Sequence, residues 1–140
     1  MIEEASGHRA VPHTADLRIE AWGQTREECI AEAVLGTVES FLDVSGAHPT
    51  RSRQCQVSAH SDEDLLVAVL DEVVYRLDTD EEAPVDLELD PVGQGLDVRF
   101  AMVDVRRLTQ TGAVPKAVSL HELCLAPGPA GWRCSVTLDV

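Results

Sequence analysis

Basic residues are scarce in this sequence: 11 Lys and Arg face 25 Asp and Glu, which leaves a formal net charge of -14. The few cations form no block along the chain. Proteins that bind nucleic-acid backbones directly present a basic stripe to the phosphates. The charge balance therefore disfavours direct nucleic-acid binding. It favours a basic protein partner or divalent cations, and plain solubility is the simplest alternative explanation.

Long apolar runs and paired cysteines are also absent from the sequence. No apolar stretch approaches the roughly 18 residues that a membrane-spanning helix needs, and the N-terminus lacks a charged-then-apolar signal segment. We therefore expect no membrane association and a cytoplasmic location. The cysteines are Cys29, Cys55, Cys124 and Cys134. Without a C-x-x-C pair, neither a zinc site nor a disulfide is expected in a reducing cytoplasm, and all four are interpreted as small core side chains.

Hydrophobic periodicity predicts one α+β domain over residues 1–140, in which two helices pack on a mostly antiparallel β-sheet as two layers. The apolar content of 44% allows a substantial core. Capping signals predict one helix that begins at Thr25 and ends near residues 45–46, and another that begins at Ser61 and ends near Asp78. Strands are predicted over residues 17–22, 51–60, 84–90, 95–104, 117–126 and 131–139. A solvated acidic turn is expected over residues 78–82, and a polar loop over 105–115.

The last two predicted strands form a hairpin, and their register decides which residues share a face. A turn centred on Pro129 places Cys124 opposite Cys134 and Ser119 opposite Asp139. The core face then holds Val118, Leu120, Cys124, Val136 and Leu138, and the polar face holds Ser119, His121, Thr137 and Asp139. A shift of one residue would reverse every assignment.

The sequence stops on Leu138-Asp139-Val140, inside the last predicted strand. A terminus held in a sheet would bring the Asp139 side chain close to the α-carboxylate of Val140. Two such carboxylates repel unless a cation lies between them, and hard oxygens suit Mg²⁺, Ca²⁺ or Mn²⁺. Asp16 is an even-numbered residue, like Arg18 and Glu20 on the polar face of the first predicted strand, and its carboxylate could be a further ligand of the same cation. The alternatives are an edge strand with a solvated end and an Asp16 that bonds to a turn backbone.

Four motifs, considered together, carry a family resemblance. They are His13-Thr14-Ala15-Asp16, Trp22-Gly23-Gln24-Thr25, Lys116-Ala117-Val118-Ser119-Leu120-His121 and Leu138-Asp139-Val140. In this order, and over essentially the whole chain, they resemble the archease family. Archeases are small accessory proteins of the RtcB-type RNA ligase, which seals RNA ends that carry a 2′,3′-cyclic or 3′-phosphate, as in tRNA splicing.

The resemblance implies a non-enzymatic activator that promotes guanylylation and multiple turnover of an RtcB-type ligase and has no catalytic residues of its own. It implies a divalent cation (Ca²⁺, Mg²⁺ or Mn²⁺) held by Asp16, Asp139 and Val140. His13, Lys116 and His121 also match the family motifs and are candidates for functional or partner contacts. Ser119-Leu120 replaces the Thr-Tyr that is usual in the family, and residues 103–113 match it poorly.

Two other classes of function stay open. A stand-alone metal-dependent phosphohydrolase would use the same carboxylates to activate water. No glycine-rich phosphate loop or basic substrate clamp accompanies them, which argues modestly against that class. A protein-interaction module with no metal role is the other alternative.

Overall fold

The computed structural model describes residues 5–13 and 16–140, and the side chains of residues 12 and 13 lie outside the described part. The helices are Arg26–Glu39 (α1) and Asp62–Asp80 (α2), and a one-turn 3-10 helix covers Val105–Arg107. The strands are Gly7–His13 (β1), Asp16–Gly23 (β2), Leu42–Asp43 (β3), Arg51–Ser58 (β4), Glu82–Val92 (β5), Gly95–Asp104 (β6), Thr109–Gln110 (β7), Ala117–Gly128 (β8) and Gly131–Asp139 (β9). Within these residues, no helix combines the length and the apolar character that crossing a membrane requires.

Both helices begin at the predicted capping residues. The Oγ1 of Thr25 accepts a hydrogen bond from the N–H of Glu28 at 3.0 Å, and the Oγ of Ser61 accepts one from the N–H of Asp64 at 3.1 Å. Each cap satisfies an N–H that the first helical turn leaves unpaired. The ends of the helices differ from the prediction: α1 ends at Glu39, and α2 continues to Asp80. The first helix ends early because the residues that follow it form β3. This strand pairs with β7, which lies in the segment predicted as a polar loop.

The paired strands in the described part are all antiparallel, and they form three sheets. A four-stranded sheet has the order β1-β2-β9-β8, a three-stranded sheet has the order β4-β6-β5, and β3 pairs with β7. The predicted α+β class with two helices and a mostly antiparallel sheet is confirmed. Hydrophobic periodicity does not predict β1, because polar and apolar residues do not alternate clearly along it. The strand nevertheless pairs with β2 along its whole length.

The core lies between the helices and one face of the sheets. The first helix contacts β1, β2, β5 and β9, and α2 contacts β4, β5, β6 and β8. The four-stranded sheet contributes alternate apolar residues, which include Ile19, Ala21, Leu125, Val136 and Leu138. Their neighbours along each strand face away from the helices, because side chains alternate across a sheet. This outer face carries the candidate site.

Two of the four cysteines are buried together under α1. Cys29 on the helix and Cys134 on β9 are both buried, and the Cys29 thiol contacts the carbonyl of Ala21, which is the cross-strand partner of Cys134. The contact with Cys29, together with burial, raises the pKa of the Cys134 thiol. Cys55 is half-buried and Cys124 is exposed. The prediction that all four cysteines are core residues is therefore wrong for Cys124.

The predicted register of the terminal hairpin is wrong. Gly128 pairs with Gly131, so the loop consists of Pro129 and Ala130, and Leu125 lies opposite Cys134. Pro129 occupies the first central position of the turn, where its restricted φ is favoured, and is not the apex. The one-residue difference buries Leu125 and exposes Cys124.

A second irregularity changes the register again near the chain end. The ladder between β8 and β9 is interrupted between Ser119 and Cys124, and it resumes with Ser119 opposite Thr137 and Ala117 opposite Asp139. Leu120 therefore does not face the core, and 70% of its surface is exposed. The predicted shared face of Ser119, Thr137 and Asp139 agrees with the observed pairs, although Ser119 is not the residue opposite Asp139.

The expected acidic turn after the second helix is only partly solvated. Glu82 is buried, with 7% of its surface exposed, and it begins β5. Its carboxylate accepts hydrogen bonds from the guanidinium of Arg53 at 2.9 and 3.4 Å, and Arg51 lies 3.3 Å away. A buried carboxylate needs such cationic partners, and the sequence segment alone does not contain them.

Candidate functional site

Asp16 and Asp139 face each other across two neighbouring strands. Asp16 begins β2, Asp139 ends β9, and the two residues are direct partners in the antiparallel ladder. Directly opposed residues share a face and have Cβ atoms about 4.5–5.5 Å apart. The strand pairing therefore brings the first and last site residues together on the outer face of the four-stranded sheet.

The acid pair places two like charges directly opposite each other. Like charges directly opposite each other destabilise a sheet. Within the described part of the chain, no Lys, Arg or His side chain forms an ion pair with either carboxylate. The next basic residue along β2 is Arg18, and its ion pair is with Glu20 at 3.8 Å. A cation from outside the chain would relieve this repulsion.

Lys116 and Val140 lie beside the pair along the backbone. The N–H of Lys116 donates a hydrogen bond to the carbonyl of Asp139 at 2.8 Å, just before β8 begins. The side chain of Lys116 is exposed, and it is the only lysine of the sequence. Val140 follows Asp139 directly and is half-buried. Both residues are therefore held near Asp139 by the chain itself.

The two candidate histidines differ in what the structure describes. The backbone of His13 pairs with Asp16 at the end of β1, and its side chain lies outside the described residues, as do Thr14 and Ala15 of the same motif. His121 lies in the interruption of β8, where its side chain is 82% exposed. Its N–H donates to the Oγ of Ser119 at 3.2 Å. The irregular strand separates His121 from the acid pair in register.

The donor set suits a hard divalent cation only in part. Two carboxylates on one sheet face supply the oxygen ligands that Mg²⁺, Ca²⁺ and Mn²⁺ prefer. Among the described side chains, no group of three or more His, Cys, Asp and Glu is placed to hold a metal ion. The main-chain carboxylate of Val140, next to Asp139 in the chain, is a candidate third oxygen donor.

The same outer face carries an aromatic and cationic cluster that the sequence analysis did not single out. The guanidiniums of Arg9 and Arg133 lie 5.6 and 5.9 Å from the ring centroid of Trp22. Arg133 is directly opposite Trp22 on β9, and Gly7 opposes it on β1. Asp16 and Trp22 are separated by an even number of residues along β2, and this spacing already predicts that the two side chains lie on the same face of the strand. This cluster lies at the other end of β2 and does not touch the acid pair.

Two proteins of similar sequence are both named as archeases. A protein from Mycobacterium tuberculosis named "Probable protein archease" is 62% identical over 136 residues, which cover 97% of this chain and 76% of that protein. "Protein archease" from Archaeoglobus fulgidus is 27% identical over 135 residues, which cover 95% of this chain and 98% of that protein. Each similarity therefore extends over nearly the whole chain.

Solved structures have the same fold. A Methanobacterium thermoautotrophicum protein, MTH1598, superposes with a TM-score of 0.76 at 23% identity over 96% of this chain and 99% of its own. A Thermotoga maritima protein, described as an archease and possible chaperone, superposes with a TM-score of 0.68 at 21% identity over 93% of this chain and 94% of its own. These likenesses concern the fold.

A family model places the chain among these proteins. The model of the Archease protein family matches residues 8–140, from the first described strand to the last residue of the chain. The match spans the acid pair, Lys116 and His121. The chain belongs to the archease family.

Proposed function

We propose that this archease is an accessory protein of an RtcB-type RNA ligase in tRNA splicing or RNA repair, acts in the cytoplasm, and promotes guanylylation and multiple turnover of that ligase without catalysing a reaction itself. The observation that carries the proposal is the opposition of Asp16 and Asp139 beside Lys116. Like charges directly opposite each other in a sheet are destabilising. A role in holding a cation beside a partner's phosphate chemistry explains why they are adjacent.

Asp16, Asp139 and the main-chain carboxylate of Val140 are the residues that would hold a divalent ion. When bound, such an ion supplies positive charge that stabilises developing negative charge on phosphate oxygens. The carboxylates bind and orient the ion, and the surrounding strands keep their separation fixed. The net charge of -14 directs the protein towards a basic partner surface.

Lys116 would supply a positive charge from the chain itself. Its backbone bond to Asp139 fixes the start of the side chain next to the acid pair, while the exposed ammonium is available to a partner or to a bound nucleotide. His121, exposed in the interrupted part of β8, would orient a neighbouring ligand by hydrogen bonding. His13 is a further candidate for contact with the partner.

A ligase turnover assay tests the role of Lys116. We expect Lys116→Ala to lower the stimulated rate of guanylylation by about 10- to 100-fold, because a hydrogen bond to a charged group contributes about 1.5–3 kcal/mol. Arg99→Ala is the matched control, since Arg99 is an exposed cation, 53% accessible, on β6 and outside the site. Unchanged multiple-turnover sealing with Lys116→Ala would remove this role.

Thermal unfolding with and without metal tests the acid pair independently of the ligase. An ion at about 100 times its Kd should stabilise the wild type by about 2.7 kcal/mol. Asp139→Asn should abolish that response and, without metal, should be as stable as the wild type or up to about 1 kcal/mol more stable, because the repulsion is relieved.

Asp97→Asn is the control for the metal experiment. Asp97 also faces an aspartate, Asp90, directly across an antiparallel pair, on β6 and β5, but its carboxylate already accepts hydrogen bonds from Nε2 of Gln54 at 3.0 and 3.2 Å. The same substitution there should leave the metal response intact. An equal loss of response in both variants would show that the ions bind the acidic surface generally and would contradict a specific site.

The same reagents separate the two other classes of function. Turnover of nucleotide or RNA phosphates by the purified chain without a ligase would identify a phosphohydrolase. Full stimulation of the ligase by Asp16→Asn and Asp139→Asn would identify an interaction module with no metal role. Stimulation by the wild type alone, with no turnover in the absence of ligase, is the expected result.

A further inference from the structure

One of the two edge strands of the four-stranded sheet, β8, leaves its ladder close to the acid pair. Between Thr137 and Ser135 the partner strand β9 has the single residue Val136, whereas β8 has residues 120–123 between the matching positions. The irregularity therefore gives β8 three more residues than β9 over the same stretch of the ladder. Bulges of this kind redirect side chains and are common beside functional sites.

The backbone of this segment is held in an unfavourable conformation. Glu122 has φ +57°, which places a residue with a Cβ in the left-handed region. The other non-glycine residue with positive φ in the described part is Glu81, which caps the C-terminus of α2, where that conformation is ordinary. No helix end accounts for Glu122. The surrounding strand imposes its conformation, as at many recognition sites.

The irregularity brings an apolar side chain to the surface. Leu120 is 70% exposed and is the most exposed large hydrophobic residue in the described part, ahead of Tyr75 and Val92 at 53% and Val114 at 38%. It lies three residues from Ala117, the cross-strand partner of Asp139, or about 10 Å along an extended strand. Leu120 is thus on an edge strand, β8, whose first residue is the cross-strand neighbour of Asp139.

Protection of the sheet edge does not explain this arrangement. Natural edge strands are blunted by bulges, charged side chains and prolines, which discourage other chains from pairing with them. The bulge alone would serve that purpose. An outward-facing leucine works against it, because it adds apolar surface to the edge. The leucine therefore needs a separate explanation.

We propose that Leu120 is an apolar anchor that enters a recess on the ligase partner, and this inference rests on the proposed function. The recess must be apolar and bordered by cationic groups, because the anchor is accompanied by Glu122, Asp139 and a chain of net charge -14. A few side chains that fill well-packed, desolvated pockets supply most of the affinity of an interface. The anchor determines how tightly the accessory protein binds, and the acid pair with Lys116 acts once it is bound.

Ligase stimulation measured against the concentration of the accessory protein tests the anchor. Leu120→Ser should raise the half-saturating concentration by about 10- to 100-fold, as expected for loss of one buried leucine. The maximal stimulated rate should stay unchanged, because the leucine does not contact the reacting groups. Leu120→Met, which keeps the apolar volume, should restore near-normal affinity.

Val92→Ser is the matched control, because Val92 is an exposed apolar residue at the end of the β5–β6 hairpin, in a different sheet from the acid pair. It should leave the half-saturating concentration unchanged. Thermal unfolding of each variant verifies that the fold is intact, since both side chains are largely exposed.

The outcomes distinguish this inference from the function on which it rests. If the wild type does not stimulate the ligase, the proposed function fails and the anchor fails with it. If the wild type stimulates but Leu120→Ser has the same half-saturating concentration, the anchor alone is wrong. A loss of maximal rate without a change in half-saturation would also overturn it, because Leu120 would then act on the reaction and not on binding.

Discussion

The buried carboxylate of Glu82 shows how a single residue joins separate elements. It begins β5, while its partners Arg53 and Arg51 belong to β4, and β6 lies between the two strands. The two arginines therefore reach it across the central strand of the three-stranded sheet. A buried carboxylate is tolerated only where such partners satisfy it.

At the residue scale we expect Glu82→Gln to lower the free energy of unfolding by about 1–3 kcal/mol. The substitution keeps the shape but leaves Arg53 without its counter-charge, and partial exposure of Arg53 keeps the loss below that of a fully buried pair. Urea denaturation measures the change. Glu88→Gln on the same strand, 74% exposed and 4.0 Å from Arg99, should change stability by less than about 0.5 kcal/mol. Equal losses of stability in the two variants would contradict the view that burial makes the Glu82 ion pair more important than the exposed Glu88 pair.

The site residues illustrate which residue-scale features a sequence can predict. Alternation along β2 correctly predicted that Asp16 faces the polar side, together with Arg18 and Glu20. The same reasoning failed for Leu120, because parity holds only while a strand stays in register. The irregularity in β8 depends on how a long edge strand fits β9, which no local pattern encodes.

At the scale of elements, helix starts were predicted better than helix ends. A start is encoded locally, since the side chain at the cap bonds to an N–H within three residues, as at Thr25 and Ser61. The end of α1 is decided by distant residues: Leu42 pairs with Gln110, and the N–H of Thr111 donates to the carbonyl of Phe41. Pairing with a segment that remote cannot be read from the helix sequence.

Ser61→Ala tests how much the N-terminal cap stabilises α2. Removal of the cap leaves the N–H of Asp64 without its partner, and it should lower stability by about 1 kcal/mol. Ser58→Ala, at the exposed end of β4, should have a change of at most a few tenths of a kcal/mol. Thermal or urea unfolding of the two variants provides the comparison. A fully stable Ser61→Ala would mean that packing alone defines the start of α2.

At the scale of the whole molecule, negative charge dominates. A net charge of -14 on 140 residues makes the folded chain repel itself. Several cations are already committed to internal ion pairs, among them Arg26 with Asp62 and Arg76 with Asp80. These pairs reduce the repulsion locally but do not change the overall field that a partner meets.

We expect monovalent salt to stabilise the isolated protein. Raising NaCl from about 20 mM to about 300 mM shortens the screening length to below about 10 Å, weakens the self-repulsion, and should raise Tm by a few degrees. KCl should act equally, because screening does not depend on the identity of the ion. A Tm that falls with salt would indicate that ion pairs, and not repulsion, dominate the charge energetics.

The sequence by itself determined the fold class, the helix starts, most strands and the charge of the surface, because periodicity, caps and composition act over short separations. Motifs at both chain ends also sufficed to indicate the archease family. Only the tertiary structure decided that Asp16 opposes Asp139, that Glu82 is buried among arginines, and that Leu120 is exposed. These features depend on strand register and on contacts between residues far apart in the chain, where a shift of one residue reverses the outcome.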